Sequence, residues 1–338
     1  MHSLHIPLGT GAEFDLIRRF LDTDETHRTR SLPEHVRVGA GDDCAIVRGE
    51  GIALSVDMAV EGVHFRREWL EPEEIGYRSV AAALSDLAAT AATPVGVLIA
   101  LAINDEDGPQ VAERIMEGAR AAATGFRASI LGGDITRSTG PLVMDVVVVG
   151  NAVRPALRRG AKAGDNVWVT GELGAAAVAV AAWKQSREPE PAARLAFALP
   201  TPRIAEASWL MARNVVHAMI DISDGLAGDI AHIAAASGVR VTLDARAIPI
   251  HPVVCVDEDD PAAMVRTALT GGEDYEICFT SPPGVVERFL ESFQQTFGLQ
   301  LTCVGTVQNG EGVALRGFDG RVNDMDLAGF DHFARTAE

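Results

Sequence analysis

The chain has 338 residues, 47% of them apolar and 22% charged, so it can bury sizeable cores and, at about 150 residues per domain, is long enough for two domains. Its 29 Lys and Arg against 47 Asp and Glu leave a formal charge of −18. That balance argues against a nucleic-acid binder, which needs a basic footprint, and against docking on anionic lipid.

Strand-like aliphatic runs lie at 44–48, 53–56, 95–102, 129–131 and 142–149, and helical composition fills 72–90 and 110–124, the latter with Val111, Ile115 and Ala119 at helix spacing. The nearest thing to a membrane span, 80–103, is interrupted by Asp86 and Pro94 and reads as a helix followed by a strand. After Arg154-Pro155 the pattern restarts. A strand at 167–170 is followed by an Ala-rich helix at 175–183, a polar loop at 185–191, a helix near 204–214 and a strand at 218–222. A helix from Gly225 and strands at 239–243, 275–279 and 301–307 complete the series. The expected class is α/β (α+β), with two domains of mixed sheets divided into 1–152 and 153–338. Four cysteines, Cys44, Cys255, Cys278 and Cys303, include no C-x-x-C pair, and their aliphatic neighbours read as reduced core thiols. The first residues lack a charged stretch followed by an apolar one, so a cytoplasmic location without a secretory signal is expected.

The placement of certain aspartates is the informative feature. Asp57 closes an apolar strand (ALSVD), and Asp134 follows two glycines after another (SILGGD). Asp221 and Asp224 straddle the end of a third (AMIDISD), Asp42-Asp43 lies in a glycine turn before a fourth (GAGDDCAIV), and Asp86 sits inside an apolar helix (AAALSDLAAT). An ionised carboxylate in an apolar segment should be paired or metal-bound, and no Lys or Arg stands within several residues of Asp57, Asp86 or Asp221. Strand ends in α/β sheets border crevices, and oxygen-rich sites there suit Mg²⁺ or Ca²⁺. A lone Asp after a strand is most often a cap or turn former, and Asp224 before Gly-Leu-Ala-Gly could simply cap its helix; Asp86 is hardest to explain that way. For the set, placement favours a metal site.

Gly39, Gly41, Gly132, Gly133, Gly271 and Gly272 all stand beside these acids or beside Glu273-Asp274, and paired glycines let backbone N–H groups approach a phosphate closely, although structural turns use them too. P-loop, Rossmann, G-x-S-x-G and H-E-x-x-H motifs are absent from the sequence. His64 (EGVHF) stands out because an acidic segment precedes it, against the default of an ordinary surface or core histidine.

Taken together, GAEFDLIRRF, GAGDDCAIV, SVDMAVEGVHF, ALSDLAATAATP, GGDITRS, RRGAKAGDNVWVTGELG, DISDGLAGDIAHI, TGGEDYEICFT and GFDHF resemble, nearly end to end and in order, the thiamine-monophosphate kinase family, part of the superfamily of aminoimidazole ribonucleotide synthetase. The resemblance implies transfer of the γ-phosphate of ATP onto thiamine monophosphate, with several Mg²⁺ ions in a site between the two domains. It implies an N-terminal ATP- and Mg-binding domain that dimerises by pairing sheets into a β-barrel, and a C-terminal α/β domain. The implied magnesium ligands are Asp43, Ser55, Val56 through its backbone, Asp57, Asp86, Asp134, Asp221 and Asp224. Implied ATP contacts are Gly133, Asp134, Arg158 and Ser223; implied contacts to thiamine monophosphate are His64, Glu273 and the ring of Phe330. Relatives often carry Thr-Asp where this chain has Val56-Asp57, which excludes a hydroxyl ligand at 56, and Phe330 keeps an aromatic face where Trp or Tyr also occurs.

The chemistry agrees with this reading. Divalent ions turn repulsion between two phosphorylated reactants and a set of aspartates into attraction, and an acceptor phosphate oxygen is already ionised at neutral pH. Direct transfer is therefore expected, with no nucleophile and no general base. The competing readings are a sister ATP-dependent enzyme of the superfamily and a non-catalytic acidic protein that stores or senses divalent ions. Selenophosphate synthetase usually carries a reactive residue near its N-terminus and the hydrogenase-maturation dehydratase a C-terminal Cys; here the first Cys is Cys44 and the chain ends FARTAE.

Overall fold

The structure, a computed structural model, describes strands 36–38 and 46–47 and residues 51–104, 107–152, 154–256 and 258–325. The described residues fall into two compact units, one within 1–87 and 92–155 and the other within 88–91 and 156–338. Asp43, Cys44 and Phe330 lie outside the described residues.

The first unit holds a small antiparallel pair, β1 (Val36–Val38) and β2 (Ile46–Val47), and a four-stranded mixed sheet. That sheet has the order β3-β6-β4-β5, from β3 (Ile52–Val60), β4 (Thr93–Ile103), β5 (Ser129–Arg137) and β6 (Val143–Asn151). Its parallel pair, β4 and β5, is joined by a helical crossover, as such pairs require. Helices α1 (Pro72–Ala89) and α2 (Gly108–Gly125) are the helices expected over 72–90 and 110–124. Val97, Ile99 and Leu101 of β4 and Met144, Val146 and Val148 of β6 form a buried face. β3 inverts the usual alternation. Its small and polar residues, Ala53, Ser55, Asp57 and Ala59, share that face, while Ile52, Leu54, Val56 and Met58 are 45% to 67% exposed on the other.

α1 and α2 meet backbone to backbone. A Cβ at Gly76 would overlap the carbonyl oxygen of Ile115, and one at Gly118 that of Glu73, so glycine is what permits the close approach. Gly118→Ala should therefore destabilise the protein by about 1–3 kcal/mol despite alanine's better helix propensity, measured as a lowered urea midpoint. An unchanged or raised midpoint would show that the helices can separate freely.

The second unit is built on a seven-stranded mixed sheet, β13-β12-β9-β11-β7-β10-β8. Its strands are β7 (Asn166–Thr170), β8 (Ala218–Ile222), β9 (Arg240–Asp244), β10 (Glu276–Ser281), β11 (Leu301–Gln308), β12 (Gly312–Arg316) and β13 (Val322–Asp324). The helices are α3 (Ala175–Lys184), α4 (Pro191–Ala198), α5 (Ile204–Ala212), α6 (Leu226–Ser237), α7 (Pro261–Thr270) and α8 (Leu290–Phe297). β8 and β10 are buried along their whole length, and alternate residues feed two hydrophobic clusters, Val167, Ile220, Ile230 and Val304 in one, Trp168, Met219, Phe279 and Phe293 in the other. The loop expected at 185–191 ends in a helix, because Pro191 sits in the first turn of α4, where its missing N–H costs nothing. The thiols divide by site: Cys278 is buried and its pKa pushed up by desolvation, Cys303 is half-buried, but Cys255 is exposed at the end of a 3₁₀ turn, so it is not the core thiol expected.

Candidate active site

In the first unit one singled-out carboxylate lies on the inner face of the sheet, and a second, on α1, is bonded to that face. Ser55 and Asp57 alternate on the inner face of β3, and the Ser55 hydroxyl donates to Asp86 Oδ2 at 2.5 Å. Asp86 is half-buried between Ser85 and Leu87, both buried, so its carboxylate meets a neutral hydroxyl there. The Val56 side chain points to the outer face, and because β3 is an edge strand half of its carbonyls face away from β6.

His64 follows in the turn after β3. The Val60 N–H donates to His64 Nδ1 at 3.1 Å, while the His64 N–H donates to the Val60 carbonyl at 2.9 Å. With Nδ1 accepting, the neutral ring carries its proton on Nε2, a donor suited to an anion.

Asp134 stands apart from this pair. Asp57 pairs with Val146, Val146 with Ile99, and Ile99 with Gly133, so Asp57 and Gly133 share a row at opposite edges of the sheet, roughly 14 Å apart at about 4.8 Å per strand. Asp134 falls in the next row, with Met58, Asp145 and Ala100, on the other face. Within one chain a single ion cannot touch both Asp57 and Asp134, so the expectation that they serve one metal centre together requires more than one ion. Gly133 packs tightly: a Cβ there would overlap the Ile99 carbonyl.

In the second unit the acids gather where β8 runs into α6. Asp221 is buried near the end of β8 and Asp224 is exposed just beyond it. Asp224 does not cap α6, as its position had allowed. Asp229, inside the first turn, reaches back and accepts the N–H groups of Ser223 at 3.0 Å and Asp224 at 3.1 Å. Burial, then the charges of Asp221 and Asp224, push Asp229 up to about 8 against those two hydrogen bonds.

The 271–276 loop lies against the same turn. The Glu273 N–H donates to the Ser223 carbonyl and the Tyr275 N–H to the Ile222 carbonyl, each at 2.7 Å. Glu273 and Tyr275 both hold positive φ, 75° and 52°, a conformation that costs about 1–3 kcal/mol each for non-glycine residues and that these bonds fix. The Tyr275 hydroxyl donates to Glu273 Oε2, orienting the carboxylate. Between them Asp274 accepts the Gly174 N–H at 2.9 Å through Oδ1, while its buried Oδ2 has no hydrogen-bond partner among the described residues; burial raises its pKa well above the usual carboxylate range. Glu276 is compensated: Arg203 grips it through Nε at 2.8 Å and Nη2 at 2.5 Å, and Thr170 donates at 2.5 Å. Arg158 is exposed in the loop before β7.

Asp229, Tyr275 and the Arg203–Glu276 pair were not read from the sequence. Asp229 carried a usable signal, an acid in the first helical turn five residues after Asp224. Arg203 and Glu276 are 73 residues apart and carried none.

Among the described residues, no group of three or more His, Cys, Asp or Glu side chains already forms a metal cage. The donor chemistry nonetheless fits hard divalent ions: carboxylates and a hydroxyl, one carboxylate oxygen orphaned in the interior and another carboxyl raised by burial and then by its like-charged neighbours. Each unit thus presents a face of carboxylates, one backed by a sheet and α1, the other by the β8–α6 turn. That arrangement supplies donors of the kind a protein needs if it is to handle anionic ligands through divalent cations.

The comparisons identify the class. The models of the AIR synthase related protein N-terminal and C-terminal domains match residues 41–152 and 162–317. Thiamine-monophosphate kinase of Salmonella typhimurium is 35% identical over 95% of this chain and 98% of its own length. The crystal structure of thiamine-monophosphate kinase from Stenotrophomonas maltophilia superposes with a TM-score of 0.77 at 32% identity, covering 95% of this chain and 99% of that one. AaThiL complexed with AMPPCP and TMP gives a TM-score of 0.73 at 30% identity over 83% of this chain and 87% of that one. The chain belongs to the thiamine-monophosphate kinase family of AIR synthase related proteins.

Proposed function

We propose that this chain transfers the γ-phosphate of ATP to thiamine monophosphate, yielding thiamine diphosphate and ADP. The observation that carries the reading is the match along 95% of the chain to a relative of that activity, with the motif acids inside the matched region. ATP and thiamine monophosphate are the two substrates in this reading, and Mg²⁺ the metal.

Asp43, Ser55, Asp57, Asp86 and the Val56 carbonyl, with Asp134, Asp221 and Asp224, would hold several Mg²⁺ ions. When bound, such ions would neutralise the charge on the phosphate oxygens, which is most of what phosphoryl transfer requires. The chain's own part is positioning. His64 Nε2–H and Glu273 would orient the acceptor, with the ring of Phe330 against its aromatic part. Gly133, Asp134, Arg158 and Ser223 would hold the nucleotide. The acceptor oxygen is already ionised, so no residue needs to remove a proton, and transfer is direct. The N-terminal unit would dimerise through the exposed apolar stripe Ile52, Leu54, Val56 and Met58, whose contiguity is what a partner sheet buries. No described helix is long and apolar enough to cross a membrane, and a cytoplasmic location is the reading that goes with these substrates.

The test is acceptor choice. ADP release from ATP, measured with thiamine monophosphate and with the acceptors of the sister enzymes, is expected only with thiamine monophosphate. Release driven by another acceptor alone would move the chain to a sister activity, and metal binding with no ADP release would make it a cation-binding protein.

A further inference from the structure

α6 ends in a side chain that reaches back across the chain. Its last residue, Ser237, precedes Gly238, which turns left-handed at φ 64° and stops the helix. The Ser237 hydroxyl accepts the N–H of Gly160 at 3.1 Å and the N–H of Ala161 at 3.2 Å, and it donates to the carbonyl of Arg158 at 3.3 Å. Those contacts fill the valence of a hydroxyl, one donor and two acceptors. A helix-terminal serine ordinarily bonds its own preceding turn; this one bonds a segment 76 to 79 residues earlier.

The segment it holds is otherwise shaped for one conformation. Gly160 has φ 135°, and a Cβ there would overlap the His217 carbonyl. Three residues of the loop are thus tied by one hydroxyl. Its far end is tied separately: Asp165 accepts the Lys162 N–H at 2.8 Å and is itself held by His217 Nδ1 at 2.9 Å. The Arg158 side chain, by contrast, is exposed. The same helix begins at the Ser223–Asp224 turn, which Asp229 fastens. One rigid element therefore sets the spacing between that turn and the Arg158 backbone.

We infer that Ser237 is a positioning residue for the nucleotide, fixing through its hydroxyl the backbone from which Arg158 extends. The inference rests on the reading that Arg158 contacts ATP. An arginine side chain has several rotatable bonds, so its reach to a phosphate is defined only if its backbone is fixed. A small displacement there weakens nucleotide binding without touching the acceptor side.

The test compares wild type, Ser237→Ala, Ser237→Thr, Arg158→Ala and the double variant Arg158→Ala/Ser237→Ala, with KM for ATP and for thiamine monophosphate measured separately. Ser237→Ala is expected to raise KM for ATP by about fivefold while KM for the acceptor stays within about twofold, and Ser237→Thr, which keeps a hydroxyl, to restore most of the loss. In the Arg158→Ala background, Ser237→Ala is expected to add less than about twofold, because its effect runs through Arg158. An equal effect in both backgrounds, or an equal rise in both KM values, would make Ser237 a merely structural residue and overturn the proposal. No change from Ser237→Ala alongside a clear effect of Arg158→Ala would also overturn it. No effect of Arg158→Ala on KM for ATP would instead sink the reading of Arg158 beneath it. Should the alanine variant fail to fold, Ser237→Cys, which keeps the shape but weakens all three bonds, is read by the same criteria.

Discussion

Asp86→Asn should lower turnover by about 10²–10³-fold at saturating Mg²⁺, ATP and acceptor, the range seen when one electrostatic contact to a developing charge is removed. The change is nearly isosteric. Asn retains an oxygen to accept the Ser55 hydroxyl, now received at 2.5 Å, so the contact between β3 and α1 survives. What disappears is the negative charge. Melting temperature and circular dichroism should therefore stay close to wild type while kcat collapses, and Asp57→Asn, on the same face of β3, should behave alike. Near-normal rates in both variants would mean that these carboxylates are structural. A rate loss accompanied by unfolding would move Asp86 to the list of core contacts.

Arg203→Met should be the most destabilising of the changes considered, by about 3–5 kcal/mol, the usual cost of leaving a buried charge without its partner. Glu276 is buried, and its oxygens are committed to Arg203 and Thr170. At about 2–4 °C per kcal/mol for a unit of this size, the melting temperature should fall by roughly 10 °C. The sign with pH follows from the shift. Burial already raises the Glu276 pKa against the pull of Arg203, and losing the guanidinium raises it further. An acid whose folded-state pKa lies above its unfolded value is penalised as pH climbs through that interval, so the deficit relative to wild type should be larger at pH 8 than at pH 5. Arg203→Met/Glu276→Gln should recover most of the loss, because the second change removes the stranded charge. A deficit independent of pH, or no recovery in the double variant, would show that packing of the arginine stem is what matters.

How far the molecule was legible beforehand depended on whether a residue's reason lay in its own neighbourhood. Asp57 and Asp86 stood out because each carboxylate stands at or in an apolar segment, and the structure puts Asp57 on the same face of β3 as Ser55, whose hydroxyl bonds Asp86. The strands at 167–170 and 218–222 and the helices from 72 and 175 were readable because length and periodicity are local. The role of Asp224 as a helix cap was a fair local reading that a longer reach overrode: Asp229 satisfies the N–H groups instead, leaving Asp224 exposed. The separation of Asp134 from Asp57 could not be read at all, since it depends on the strand order β3-β6-β4-β5. Likewise the sequence reads a short aliphatic strand at 53–56 closed by Asp57, whereas β3 runs Ile52–Val60 through Asp57 and its covered face takes the small and polar residues. The Ser55 hydroxyl bound to Asp86 of α1 gives the covered face its polar residue, and the proposed partner sheet gives the exposed apolar stripe its reason.

The most direct measurement is a ³¹P spectrum of the purified chain with ATP, Mg²⁺ and thiamine monophosphate, followed in time. If carboxylates assemble divalent ions around two phosphorylated reactants, the diphosphate signals of thiamine diphosphate should grow as γ-phosphate disappears, mole for mole, without free phosphate, and stop when a chelator is added. Inorganic phosphate in place of thiamine diphosphate, or product that keeps forming after chelation, would contradict the account.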